Sequence, residues 1–302
     1  MKKNKTKKLL FLTLLTLFFA AVFHAMPYSP WEIVRIEQAI YLDKSGEYQK
    51  AIDKYNAVIE GWSDDALSFN NRGNAKQALG QYIEAIADYD EAIRIDPDYT
   101  LAFNNRGNAK QDLGQYIDAI ADYDEAIRID PDFADAFNNR GIAKKALGQY
   151  KEALADYNEA IKLKPNYEVA FDNRGNAKRA LGQYKEALAD YDKAILLNPD
   201  YANALYNRGN VKQDLGQYEE AIADYDKAIL LNPDYADAFN NRGNAKQDLR
   251  RYIDAISDYD KAIMIRPDSP RAFYNRGNAK QDLGQYEEAL ADYDKAILLN
   301  PD

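Results

Sequence analysis

From Ala66 onward the apolar positions fall in two stripes per 34 residues, and the same block is written seven times, starting at Ala66, Thr100, Ala134, Glu168, Ala202, Ala236 and Pro270. In the first block Phe69, Ala75 and Leu79 make one stripe. Ile83, Ile86, Tyr89, Ile93 and Ile95 make the other, and both have helical rather than strand spacing. Gly80-Gln81 separates them, because glycine readily supplies the left-handed backbone that closes a helix. Asp96-Pro97 stops the second helix, since the ring removes a donor and disfavours helical geometry just before it. Asp98 is placed to cap the next block's first helix, and its equivalents are Asp in every block except for Asn166. Gly73, Ala85 and Ala92 carry almost no side chain, which predicts close approach of two antiparallel helices. Each block reads as a helical hairpin that cannot bury its own apolar face, so the hairpins must stack on one another.

Gly73, Tyr82, Ala85, Ala92 and Pro97 stand at positions 8, 17, 20, 27 and 32 of the block. With the period, these residues resemble the tetratricopeptide repeat (TPR) family. The resemblance covers residues 66–302 and implies an all-α fold, a right-handed superhelical solenoid of stacked helical hairpins. Residues 27–65 match more weakly: Gly46, Tyr48, Ala51, Ile52 and Tyr55 keep register, but Ala39 and Ser63 replace the glycine and proline. They read as a linker and a degenerate N-terminal repeat, Glu32 to Asp65, with its outer face toward solvent. No polar capping helix follows Pro301-Asp302. The hairpin from Pro270 is therefore expected to have one face uncovered or covered by another molecule, self-association included.

Two positions depart from the commonest family pattern. Position 7, usually apolar, is Arg72, Arg106, Arg140, Arg174, Arg208, Arg242 and Arg276, and position 11, usually aromatic, is Lys in every block from Lys76 to Lys280. Charge on a packing stripe needs a partner. Position 23 on the second helix supplies one: Asp88, Asp122, Asp156, Asp190, Asp224, Asp258 and Asp292. Structural ion pairs between these Arg and Asp residues are expected.

Charge and rare residues narrow the function. The 49 acidic against 39 basic residues give a net charge of −10, which argues against nucleic acid as a partner. There is no Cys, and the one His is His24, so the repeats offer no imidazole base, thiol or His/Cys metal ligand. The carboxylates recur with the repeat instead of forming a pair in two distinct environments. No catalytic residue, metal or cofactor is expected.

Residues 1–26 begin with a lysine-rich flank and continue with an uncharged apolar run from Leu9 to Phe23, which reads as an export signal. The run suits a cleaved signal peptide. Extended to Met26 it is near the lower limit for a membrane span, and Phe23 two residues before Ala25 makes a poor cleavage pattern. The repeats are expected outside or in the periplasm, membrane-anchored or secreted, with the cleavage pattern favouring the anchor.

In TPR arrays the first helices line a concave groove, and positions 6, 9 and 12 look into it. Position 6 is Asn71, Asn105, Asn139, Asn173, Asn207, Asn241 and Asn275. Position 9 is Asn74, Asn108, Asn176, Asn210, Asn244 and Asn278, with Ile142 as the exception. The columns resemble the asparagine ladder by which the repeat domain of O-GlcNAc transferase holds extended peptides, since an amide can pair with backbone without reading side chains. The resemblance implies a scaffold for a protein or peptide partner, with a structural spacer or self-associating rod as the alternative. The carboxylate clamp of chaperone-docking TPR domains is not expected, because position 6 is never basic.

Overall fold

The computed structural model describes residues 30–300, with side chains from residue 33. The expected leader at residues 1–26 lies outside them. Among the described residues there are sixteen α-helices and no strand, arranged as successive hairpins. No helix among them is long and apolar enough to cross a membrane.

The chain divides into two compact units at Asp132/Phe133. The first holds α1 (Pro30–Lys44), α2 (Tyr48–Gly61), α3 (Ala66–Ala78), α4 (Tyr82–Ile95), α5 (Thr100–Asp112) and α6 (Tyr116–Ile129). The second begins with α7 (Ala134–Ala146), α8 (Tyr150–Leu163), α9 (Glu168–Ala180), α10 (Tyr184–Leu197) and α11 (Ala202–Asp214). It continues with α12 (Tyr218–Leu231), α13 (Ala236–Asp248), α14 (Tyr252–Ile265), α15 (Pro270–Asp282) and α16 (Tyr286–Leu299). Within each unit every helix packs on the one before it, and first helices of successive hairpins also touch.

The core is built from small residues against tyrosine. Ala85, Tyr89 and Ala109 form one buried cluster across neighbouring hairpins of the first unit. Ala153, Tyr157 and Ala177 repeat it in the second. The position-8 glycines make this packing possible, since a Cβ added at Gly141 would lie 2.6 Å from Cε1 of Tyr157. The helix-weakening effect of an internal glycine is offset by burial of a whole tyrosine ring, which brings a large apolar area out of water.

The start of each first helix differs from expectation. Asp98 does not cap α5; Tyr99 occupies the cap position with no side-chain bond. Asp96 Oδ1 instead accepts from the Asp98 backbone N–H at 3.1 Å, an Asx turn that Asp130, Asn198 and Asn232 reproduce. The helix begins one residue later than a cap at Asp98 requires, so that Tyr99 can pack against Phe69 and Ala92. Asp65 does cap α3, accepting from Leu67 N–H at 3.2 Å.

The turn inside the hairpins uses left-handed backbone, as at Gly216 with φ +73°, and at Arg250 a side-chain-bearing residue holds φ 60°. That conformation crowds Cβ against the following carbonyl. Arg250→Gly should therefore raise stability by about 1 kcal/mol, and Gly216→Ala should lower it by a similar amount, in thermal unfolding by circular dichroism. A fall on Arg250→Gly would contradict this account of the turn.

Candidate functional site

The charged stripe on the first helices is fully engaged. Arg208 in α11 donates from Nε and Nη2 to Oδ2 and Oδ1 of Asp224 in α12, at 2.8 and 2.5 Å, a planar fork that only guanidinium provides. Lys212 Nζ reaches the same carboxylate at 2.6 Å, and Arg208 Nη1 donates to Asp192 in the preceding hairpin at 2.7 Å. Bonding to Asp224, acting against burial and helped by Asp192, raises the Arg208 pKa further above its ordinary value.

The same fork joins Arg72 to Asp88, Arg106 to Asp122, Arg140 to Asp156, Arg174 to Asp190, Arg242 to Asp258 and Arg276 to Asp292. Each lysine at position 11, for example Lys144 on Asp156 at 2.7 Å, shares that aspartate. Arg72 also lies over the Phe69 ring at 5.2 Å. Burial alone would raise the Asp292 pKa, but hydrogen bonds from Arg276 and Lys280 hold it below its ordinary value. These cations are thus committed to the fold. The backward contact of Arg Nη1 joins hairpins as well as helices, and its acceptors at position 25, Asn56, Asp90, Asn158, Asp192, Asp226 and Asp260, were not singled out by the sequence reading.

The asparagine columns also have internal partners. In the first unit Asn105 Nδ2 donates to Asn70 Oδ1 of the preceding hairpin at 3.0 Å. In the second unit Asn173 donates to Asn138, Asn207 to Asp172, Asn241 to the Tyr206 hydroxyl and Asn275 to Asn240, at 2.9 to 3.1 Å. Asn71 and Asn139 accept from their own neighbours, Asn70 and Asn138, at 3.3 Å. Asn105, Asn173, Asn207, Asn241 and Asn275 therefore stitch neighbouring first helices together, and each keeps only part of its bonding capacity for anything else.

Position 9 serves the core tyrosines. Tyr89, Tyr123, Tyr191, Tyr225, Tyr259 and Tyr293 donate to Asn74, Asn108, Asn176, Asn210, Asn244 and Asn278, at 2.8 to 3.0 Å. The exception in the sequence has a structural counterpart. Ile142 stands where asparagine would receive Tyr157, and the buried Tyr157 hydroxyl has no hydrogen-bond partner among the described residues.

The first-helix face of the second unit is where the blocks differ most. Position 12 is Lys145 and Arg179 there, and position 5 of α9 is Asp172. Burial pushes the Asp172 carboxyl up, partly countered by the Asn207 amide, Lys145 and Asn176, and burial lowers the Lys145 pKa. Arg179 Nε donates to Asp214 at 2.8 Å and Arg271 Nη2 to Asn241 Oδ1 at 2.7 Å. Around these two arginines an open polar cleft of about 120 Å³ is lined also by Asn210, Gln213, Asp214, Asn241 and Asn244.

The "TPR repeat" description matches residues 73–114, 111–148, 175–216, 209–249 and 251–284, and "Tetratricopeptide repeat" matches 134–167 and 270–302. The chain belongs to the tetratricopeptide repeat family. Its TPR fold is similar to that of the APC/C hetero-tetramer Cut9–Hcn1, at TM-score 0.68 and 14% identity over 84% of this chain and 50% of that one. A TPR protein from Parabacteroides merdae ATCC 43184 superposes at TM-score 0.62 and 20% identity, over 78% of this chain and 93% of that one. The MamA protein gives 0.50 at 26% identity, over 56% and 92%. This chain spans half the length of the Cut9–Hcn1 chain it matches. No curated protein matches it.

The unmatched hydroxyl yields a test. Tyr157→Phe should be neutral or stabilising, because it removes a buried polar group without a partner. Tyr225→Phe should cost about 0.5–1.5 kcal/mol, because it removes a hydroxyl 2.9 Å from both Asn210 Oδ1 and Gln213 Oε1, while Asn210 keeps the Asn241 amide as a partner. Equal losses in urea unfolding would show that Tyr157 has a partner in solution.

Proposed function

We propose that this TPR chain is a non-enzymatic scaffold that holds an extended peptide segment along the first helices of its second unit. TPR proteins are in general protein–protein interaction scaffolds. The observation that carries the finer reading is the polar cleft at Arg179 and Arg271. It combines two guanidiniums, four amides and one carboxylate, a mixture of donors and acceptors that suits a peptide backbone. Its arginines already have partners, so an incoming carbonyl shares donors with Asp214 and Asn241 and does not meet a bare cation. Neutral amide hydrogen bonds contribute roughly 0.5–1.5 kcal/mol each and are little screened by salt. Recognition is therefore distributed and tolerant of ligand sequence. The binding residues are those of positions 9 and 12 in the second unit more than the position-6 column, whose donors serve the fold. The basic and then apolar order of residues 1–26 supports export, with the scaffold acting beyond a membrane.

Photo-crosslinking residues placed at Gln213 and Asn244, with Glu220 and Lys227 on α12 as controls, test the reading in native extract. The partner should crosslink from Gln213 and Asn244 and persist when salt is raised from about 0.1 to 0.5 M, where the Debye length falls well below 10 Å. Crosslinking confined to Glu220 and Lys227, or capture that collapses with salt, would overturn it.

A further inference from the structure

Near the ends of the second helices one pair of positions changes character part-way along the chain. In α4, α6 and α8 position 26 is glutamate and position 29 a cation: Glu91 with Arg94, Glu125 with Arg128 and Glu159 with Lys162 form ion pairs of 2.5 to 2.7 Å. In α10, α12, α14 and α16 the glutamate gives way to Lys193, Lys227, Lys261 and Lys295, and the cation to Leu196, Leu230, Met264 and Leu298. Both positions change together in all four helices. The exchange replaces a surface ion pair by a lysine beside a large apolar side chain.

Those four apolar side chains are 66 to 80% exposed, so they add nothing to the core. Helices α10, α12 and α14 each have a hairpin on either side, and the exposure of Leu196, Leu230 and Met264 therefore does not depend on where the chain begins or ends. An apolar row rimmed by charge marks an interaction surface. This rim has two signs. One turn back along the helices, Lys193, Lys227 and Lys261 make no ion pair or hydrogen bond among the described residues. Past the helix ends, the following turns place Asp200, Asp234 and Asp268, which are exposed and whose carboxylates have no partner there either. In the first unit Glu125 and, more weakly, the turn residue Asp98 raise the Arg128 pKa, which puts the turn aspartates beside position 29.

We infer that this stripe of the second unit is a self-association surface whose occupant is the same stripe of a second copy. Its two rims are complementary to each other. A two-fold axis running along the stripe lays apolar row on apolar row and sets the lysine side of each copy over the aspartate side of the other. An axis across the stripe would set lysine against lysine, so charge selects one of the two arrangements. An anionic lipid surface fits less well, because it would meet the three exposed aspartates together with the three lysines. On α4, α6 and α8 the Glu91, Glu125 and Glu159 ion pairs take the place of the apolar row, and the contact does not extend there. The stripe lies on second helices, apart from the Arg179–Arg271 cleft of the first helices.

Sedimentation velocity on the full chain in a mild detergent, over a series of concentrations, tests the contact. The unaltered chain should pass from monomer to dimer as concentration rises. Lys193→Glu with Lys227→Glu and Lys261→Glu should weaken the dimer at least tenfold, and so should Asp200→Lys with Asp234→Lys and Asp268→Lys. All six changes together should restore it, because the rims exchange sign and stay complementary. Leu196→Arg with Leu230→Arg and Met264→Arg should abolish it. Arg94 and Arg128 already hold that position in α4 and α6, so circular dichroism should show this variant folded. A mass independent of concentration would overturn the proposal. A dimer unmoved by the changes would overturn it too, placing the contact in residues 1–26 or the end hairpins. Failure of the six changes to restore what each set of three removes would also overturn it, leaving the lysines to an anionic lipid or an acidic protein. None of these results bears on peptide capture at Gln213 and Asn244, and a crosslink from Lys227 to a second copy belongs to this contact alone.

Discussion

A carboxylate held between a guanidinium and an ammonium is the interaction on which the rest of this array depends. Asp88, Asp122, Asp156, Asp190, Asp224, Asp258 and Asp292 are each only 2 to 4% exposed. A charge so placed is costly unless every lone pair is used. Here the arginine fork and the lysine use them, and Arg72, Arg106, Arg174, Arg208, Arg242 and Arg276 also reach back with the remaining nitrogen to the preceding hairpin. One residue type at one position thus fixes the angle inside a hairpin and the spacing to the next. The small alanines and the tyrosine–glycine contact can then pack without choosing among alternative registers.

The same economy of contacts governs the neutral polar residues. An amide has more bonding sites than one partner can satisfy, so the asparagines of the first helices tie neighbours together and still show part of themselves to solvent. Regularity in these columns is a property of stacking. Recognition is expected where regularity breaks, and the breaks gather in the second unit, at Ile142, Lys145, Asp172 and Arg179. Lys145 and Arg179 replace glutamine with cations, and Arg179 takes Asp214 from the following hairpin as its counter-ion.

The hairpins, their turns and the arginine–aspartate pairing were legible because each leaves a trace at fixed period. A buried cation with one acidic candidate on the facing helix leaves little freedom. The backward contact to position 25 was less visible, since Asp192 and its equivalents lie on exposed surface and are replaced by asparagine at Asn56 and Asn158. The position-6 column was legible as a ladder but not as an occupied one. Its partners lie 35 residues away and change chemistry from Asn70 to Asp172 to Tyr206, so no single motif marks them. The cap expected at Asp98 failed for a packing reason, because burying Tyr99 shifts the helix start by one residue.

The central claim is tested most directly by equilibrium unfolding of Asp224→Leu beside Arg208→Met/Lys212→Met/Asp224→Leu. The single change leaves two half-buried cations without their anion and should cost about 3–5 kcal/mol locally, splitting the unfolding transition around α11 and α12. The triple change removes all three charges and should recover most of that loss. If the single variant loses less than about 1 kcal/mol, the magnitude of an ordinary surface pair, or if the triple variant is no more stable than the single, the array does not depend on these pairs.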